Sequence, residues 1–426
     1  MEYSMIEEIM QYSFPEDWEV VKLEDLKIIV TSGSRGWAKF YQKEGDVFVR
    51  ISNLSRDSIK IDLTDKIFVL LPHENNEGKR TRLKHGDILI SITADLGRIG
   101  YWDFSKENGY VNQHIALLRI EDKRVERKFV AYLFSSRHYQ KFFFDLDDRG
   151  AKSGLSLQSL RKLPLLIPPL PEQQKIAAIL STWDKAIELA QSLIDAKEEQ
   201  KKGLMQRLLT GKVRFRKFIR SEETFHSKFG KYPKDWAFPK IKEVAKEVSV
   251  KNENGEELPV LSSTKHRGLV DSLEYFGKKI YSEDTSTYKV VSKGQFAYAT
   301  NHIEEGSIGY QDLYEKALIS PMYTAFEANK DVNDFFLFKL LKTPLFIHIY
   351  QANTSASVDR RGSLRWGAFS HIHIPLPSIE EQNKIAEVIK ESEREITLLK
   401  NHLEALKHQK KGLMQQLLTG KTRVKV

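Results

Sequence analysis

The chain has 426 residues, 41% of them hydrophobic and 29% charged, which is enough for two to four domains with sizeable cores. It contains no cysteine, excluding a disulfide framework and a thiolate metal site, and no apolar run approaches the roughly 20 residues of a membrane span, so a soluble cytoplasmic protein with no membrane partner is expected. The formal net charge of +9 suits a polyanionic partner, since neutralising phosphates is the main sequence-independent source of nucleic-acid affinity, although charge alone singles out no partner.

In chain order, residues 14–160 read as short alternating strands broken by Gly, Asn and Asp turns, with a few helices, which places them in the α+β class. Gly86-Asp87 turns into an apolar strand at 88–92 (ILISI), and 129–134 (FVAYLF) reads as a buried helix. Loops between these elements carry side chains suited to bases and phosphates. Residues 32–41 (SGSRGWAKFY) place Ser34, Arg35, Trp37 and Lys39 on a glycine-flexed loop, and Arg50 and Asn53 follow. Lys79, Arg80 and Arg82 lie in 79–82 (KRTR), and Arg149, Lys152 and Ser153 in 149–153 (RGAKS). Arg pairs bidentately with guanine and Asn with adenine, while hydroxyls and backbone N–H groups hold phosphates. For any one of these residues the alternative is a solvated turn.

A proline brake at 164–171 (PLLIPPLP) then opens into a helical pattern, with Pro171 at or just before the first turn and Glu172 near the positive helix end. Apolar positions alternate four and three apart through Ile176, Leu180, Trp183, Ile187, Ala190 and Ile194, are interrupted by Lys197 and Lys201, and resume at Leu204 and Leu208. That narrow stripe predicts a coiled-coil seam, on the order of 48 Å from Ile176 to Leu208 at about 1.5 Å per residue. Gly211, in 210–212 (TGK), is positioned to close the helix in the left-handed conformation. Gly203 lies inside it at a cost of about 1 kcal/mol relative to Ala, which predicts a close backbone approach by the second rod or by a partner.

Residues 212–220 (KVRFRKFIR), with five basic residues in nine, lead onward either along a phosphate backbone or as a soluble linker. A second α+β stretch follows at 232–370. Its Gly294-Gln295 turn and strand at 296–299 (FAYA) match the first domain, as does a buried helix at 335–341 (FFLFKLL). Its candidate contacts are Thr264, Lys265, His266 and Arg267 in 262–267 (SSTKHR), then Asn301 and His302, then Arg360, Arg361, Ser363 and Arg365 in 360–366 (RRGSLRW). His371 and His373 alternate as a strand would, and the sequence has no H-E-x-x-H or comparable cluster, so no metal site is expected.

After 375–377 (PLP) a second seam runs through Ile385, Ile389, Ser392, Ile396, Leu399, Leu403, Leu406, Lys410, Leu413 and Leu417, with Gly412 inside the helix. Two rods of equal length most simply pack on each other, the alternative being that each packs on its own domain. The 209-residue offset between the rods is a true repeat. Residues 201–214 (KKGLMQRLLTGKVR) and 410–423 (KKGLMQQLLTGKTR) match at 12 of 14 positions, 172–177 (EQQKIA) returns as 381–386 (EQNKIA), and Ile-Gly-Tyr at 99–101 returns at 308–310. Residues 14–19 (FPEDWE) have a looser echo at 232–237 (YPKDWA). Such a chain imitates a homodimer, which suits a target with two halves. The Gly-Lys-Val and Gly-Lys-Thr ends are not phosphate loops, because Gln206 and Gln415 stand where the earlier glycine would have to be.

These pieces resemble the specificity subunit of a type I restriction-modification system over essentially the whole chain, most specifically at 170–177 (LPEQQKIA), at 203–212 and at their second copies. The resemblance implies a first target recognition domain at 1–165, a central helix at 166–212, a second recognition domain at 213–374 and a C-terminal helix at 375–426. In it the helices pair as an antiparallel coiled coil with pseudo-two-fold symmetry, forming a ruler and a docking surface. It also implies binding to double-stranded DNA at a bipartite target, two docked methyltransferase subunits, and restriction subunits joined through those. The sequence has no D/N-P-P-Y/F tetrapeptide, no Gly-rich S-adenosylmethionine loop and no Walker A motif. A non-catalytic chain without cofactors is therefore expected, with S-adenosylmethionine, ATP and Mg²⁺ held by its partners. Ile379 reads as one residue added between Pro377 and Glu381, a departure that leaves the second helix start open. The other readings are a stand-alone DNA-modifying enzyme, which would turn over DNA by itself, and a non-DNA coiled-coil scaffold, which would show no salt-dependent DNA binding.

Overall fold

The strand at Ile88–Ser91 is buried on both faces, which is why its sequence reads as a continuous apolar run: Ile88 and Ile90 point into one core and Leu89 into another. The computed structural model describes residues 14–71, 78–145, 154–227, 230–354 and 363–426. They form two units, the described residues up to 192 with 400–426, and those of 193–399, so each long helix is divided between both.

In the first unit a four-stranded antiparallel sheet runs in the order Ile28–Ser32, Ile115–Ile120, Ile88–Ser91, Ile99–Tyr101. The helix Arg127–Ser135 contributes Phe129, Val130, Leu133 and Phe134 to the core on one face. Leu89, Leu117, Val49 and Trp102 fill the other, toward a second sheet ordered Tyr41–Gln42, Phe68–Val69, Asp46–Val49, Gly109–Val111, whose last pair is parallel.

The second unit repeats the plan. Its first sheet runs Ala245–Val248, Tyr323–Ala328, Phe296–Ala299, Ile308–Tyr310, all antiparallel, with Phe296 and Tyr298 on one face and Ala297 on the other. Its second sheet has five strands, Val250–Lys251, Lys289–Ser292, Lys316–Ile319, Val260–Thr264 and Gly268–Asp271, and again one parallel pair. Gly86 and Gly294, before the matching strands, both have φ of 91°, the left-handed turn that the sequence predicts. The helix Asp334–Leu341 takes the place of Arg127–Ser135 and is capped by the Asn333 side chain.

The long helices, Leu170–Leu208 and Ile379–Leu417, have 39 residues each and start one repeat apart. Gln173 and Gln382 donate to the carbonyls of Pro168 and Pro377 at 2.8 and 2.9 Å, fastening both starts alike. Ile379 therefore occupies the place of Leu170, and the added residue expected there is corrected. Among the seam residues Ile176, Leu180, Ile194, Leu208, Ile385, Ile389, Ile396, Leu403 and Leu417 are buried. Trp183, Ile187, Leu204, Leu399, Leu406 and Leu413 are half-buried.

The lysines that interrupt the seam meet carboxylates. In the first unit buried Lys410 pairs with Asp184, which also accepts the Tyr132 hydroxyl at 2.6 Å. In the second, Lys197 pairs with Glu395 at 2.6 Å and Lys201 with Glu393 at 3.6 Å, so residue numbers rise on one helix as they fall on the other. Charged pairs inside an apolar seam fix register at some cost in stability.

Gly211 and Gly420 have φ of 67° and 70°, and a Cβ there would lie 2.6 Å from Pro233 and 2.5 Å from Pro15. Two constraints thus hold the repeated Thr-Gly-Lys ends. Gly203 and Gly412 differ: both are exposed and an added Cβ would meet nothing within 4 Å. The close approach expected of them within the chain is corrected, leaving the external partner. No helix among the described residues is long and apolar enough to cross a membrane.

Candidate nucleic-acid interface

In the first unit the 33–39 loop begins where Gly33 passes so close to Val111 that a Cβ would lie 2.1 Å from its carbonyl oxygen, and Gly36 turns it with φ of 86°. Arg35 and Lys39 are exposed and Ser34 is half-buried. Arg80 donates to the Ser32 carbonyl at 3.1 Å, which brings the 79–82 turn, with exposed Lys79 and Arg82, beside this loop; Arg82 also donates to Asn108 at 2.9 Å.

Three residues of that set serve the scaffold. Trp37 is 3% exposed, its ring stacked on Phe48 at 4.9 Å and tilted on Tyr110 at 5.3 Å. The expected base contact from Trp37 is corrected: it is an aromatic pillar beneath the loop, and Tyr110 in turn lies against Gly78 at the start of the 79–82 turn. Asn53 is buried, its amide accepting from Arg50 N at 2.9 Å and donating to the Asp62 carbonyl at 2.8 Å, so its adenine contact is likewise corrected. Arg50 is paired with Asp65 at 2.8 Å and also binds the Asp65 carbonyl. Arg149, Lys152 and Ser153 lie outside the described residues, as do Arg360 and Arg361 in the second unit.

In the second unit exposed Lys265, His266 and Arg267 and half-buried Thr264 form the turn between Val260–Thr264 and Gly268–Asp271, closed by Thr264 Oγ1, which accepts from Arg267 N at 3.1 Å and donates to the Gly268 carbonyl at 3.0 Å. Leu364 N donates to the Thr300 carbonyl at 2.9 Å, setting half-buried Ser363 and exposed Arg365 near half-buried Asn301. His302 is exposed but lies 3.9 Å from Glu305, a neighbour that disfavours a phosphate.

Lys342, absent from the sequence-based set, ties these stretches together. Its Nζ donates to the carbonyls of Thr264, Lys265 and Gly306 at 3.3, 2.7 and 2.8 Å, joining the 264–267 turn to the one that follows His302. Burial, with help from nearby Lys339, lowers its pKa from 10.5 to about 8.

Each unit is also fastened by an arginine clasp. In the second, Arg214 chelates Glu381 at 2.9 and 2.8 Å, binds Asp235 at 2.7 Å and donates to the Phe218 carbonyl, while Trp236 Nε1 donates to the same Glu381 at 3.2 Å. In the first, Arg423 chelates Glu172 at 2.8 and 2.7 Å and Asp17 at 2.8 and 2.7 Å, and Trp18 Nε1 donates to Glu172 at 3.3 Å. The hydrogen bonds that the two guanidinium groups donate to Glu381 and Glu172 respectively raise their pKa values further. The repeat carried the signal for both clasps, because Arg214 and Arg423 are one repeat apart and the tryptophans share the Asp-Trp echo.

The model of the type I restriction modification DNA specificity domain matches this chain twice, at residues 15–198 and 233–408. Two specificity subunits from Methanocaldococcus jannaschii align along nearly the whole length. The type I restriction enzyme MjaX subunit, named provisionally, is 28% identical over 96% of this chain and 95% of its own, and the MjaVIII subunit 26% identical over 96% and 94%. Among solved structures, the HsdS subunit from Thermoanaerobacter tengcongensis superposes with a TM-score of 0.54 at 16% identity, covering 96% of this chain and 99% of the other. The S subunit of a type I restriction-modification system from M. genitalium gives 0.53 at 16% identity over 94% and 96%.

Proposed function

The chain belongs to the type I restriction-modification DNA specificity family, and from that membership we propose that it reads a bipartite double-stranded DNA target, one half with each of its two recognition domains. It is the specificity subunit of its system. The observation that carries the reading is the duplication itself: two sheets of one strand order, each with its own set of exposed basic and polar loops, beside two 39-residue helices in one register. Loops that differ on scaffolds that match are what two unlike half-sites require.

The chain supplies recognition, and chemistry comes from elsewhere. Two methyltransferase subunits dock on the repeated helices, which pair as an antiparallel coiled coil, and restriction subunits join through them. S-adenosylmethionine, ATP and Mg²⁺ act in those partners, with adenine as the methylated base. In support, Gly203 and Gly412 present equivalent bare backbone on the two helices, as a partner bound in two copies needs. The test combines the purified chain with labelled S-adenosylmethionine, Mg²⁺, ATP and DNA, with and without the modification subunits. Methylation at a split sequence only when all are present is the expected result; turnover scaling with this chain alone would overturn the non-catalytic reading.

A further inference from the structure

Beside the 264–267 turn, the short helix Ser272–Phe276 and the residues after it expose four large apolar side chains within eight positions: Leu273 at 53%, Tyr275 at 46%, Phe276 at 43% and Ile280 at 49%. No eight-residue stretch among the described residues of the first unit exposes more than one, its large exposed apolar residues being spread over Ile29, Tyr41, Leu70, Phe144, Leu189 and Val426. Clustered exposure of this kind marks a surface that something covers.

We propose that Tyr275 and Phe276 form a wedge that enters the DNA duplex and unstacks a base step in the half-site read by the second domain. The inference rests on the specificity-subunit reading and adds to it a deformation of the target. Arg267, from the recognition turn, lies over the Tyr275 ring at 5.6 Å, so the aromatic pair is attached to the turn whose carbonyls Lys342 holds. The two rings meet edge to face at 4.9 Å, each bracing the other where no core supports it. In sequence they are flanked, from 265 to 279, by Lys265, Arg267, Lys278 and Lys279 against two carboxylates, Asp271 and Glu274. Asp271 is already engaged, capping Glu274 N at 2.9 Å and accepting the Tyr314 hydroxyl at 3.0 Å, and Lys279 reaches Glu283 farther on. Apolar wedges rimmed by cations are how proteins unstack and kink a duplex. A protein partner present in two copies would need this surface twice, whereas an unlike half-site needs it once.

The experiment uses the full chain assembled with its modification subunits, on a duplex carrying the split sequence found by mapping methylated bases, with 2-aminopurine walked through the second half-site. Wild type should raise the fluorescence at one step apart from the methylated adenine, which the methyltransferase subunit itself extrudes. Tyr275→Ala/Phe276→Ala should abolish that rise and weaken binding by at least about tenfold, as loss of base–aromatic stacking does, with discrimination at the first half-site unchanged. Tyr275→Trp, which keeps an aromatic face, should keep the rise, and because all these side chains are exposed, the melting temperature should not move. Persistence of the rise in the double variant overturns the proposal, as does a wild type that binds its site selectively without that rise. Loss of the modification subunits from the double variant with DNA deformation intact would make this a protein-docking surface instead. A wild-type complex that prefers no duplex would overturn the specificity-subunit reading itself.

Discussion

Arg214 and Arg423 each chelate the first-turn glutamate of a long helix and an aspartate beside a tryptophan, yet the Arg214 side chain is 7% exposed and that of Arg423 41%. Their aspartates differ in the same sense, Asp235 at 12% and Asp17 at 53%, while both glutamates are buried. One sequence repeat has thus built the same contacts in two solvent environments. A buried ion pair leaves an uncompensated charge when broken, whereas water takes over much of the role of an exposed partner.

The comparison predicts its largest effect at Arg214. Arg214→Ala should cost the second unit about 3–5 kcal/mol in denaturant unfolding, and Arg423→Ala should cost the first unit distinctly less. Equal losses would mean that burial does not separate the two clasps. Intermediate effects fall on DNA reading. Arg35→Ala should weaken discrimination at one half-site by about 1–3 kcal/mol if it meets a base edge, and an equal loss for every sequence would make it a phosphate contact. Lys342→Met, touching no DNA, should loosen discrimination at the other half-site by about 1–3 kcal/mol by leaving carbonyls unpartnered; competition binding against single-mismatch duplexes reads both.

The smallest effect is one of pH. Asp17 is held below its ordinary 3.8 by the Arg423 guanidinium. Asp235 is also lowered: burial pushes it up, but the Arg220 backbone N–H and the Arg214 guanidinium outweigh that. A carboxyl whose folded pKa is depressed contributes stability that is complete above its unfolded pKa and is lost as pH falls through the folded value. The stability difference between wild type and Asp235→Asn should therefore stay flat from about pH 5 to 9 and shrink below about 4. A difference that grows under acid would reverse the assignment.

What could be read from the sequence was what repeats or has a period. The helices, their glycine ends at Gly211 and Gly420, and the turn and strand pairs after Gly86 and Gly294 all follow from local chemistry. The candidate contacts were legible only as loops. Trp37 sits on a glycine-flexed loop that reads as solvent-facing, but Phe48 and Tyr110, brought by other strands, claim its ring. Asn53 turned its amide inward to close its own turn. Lys342 left no local sign, because its acceptors lie 36 to 78 residues away and are main-chain carbonyls, which any residue could supply. Ile379 reads as an addition only from the proline spacing; the helix starts, fastened alike to Pro168 and Pro377, put it in the place of Leu170.

Two recognition domains on one repeated frame should read their half-sites independently. That independence is measured by replacing residues 14–160 with the equivalent domain of a relative and mapping methylated bases across the host genome. A new first half-site beside an unchanged second one is the expected result. Loss or change of specificity at both halves, in a complex that still methylates, would contradict it.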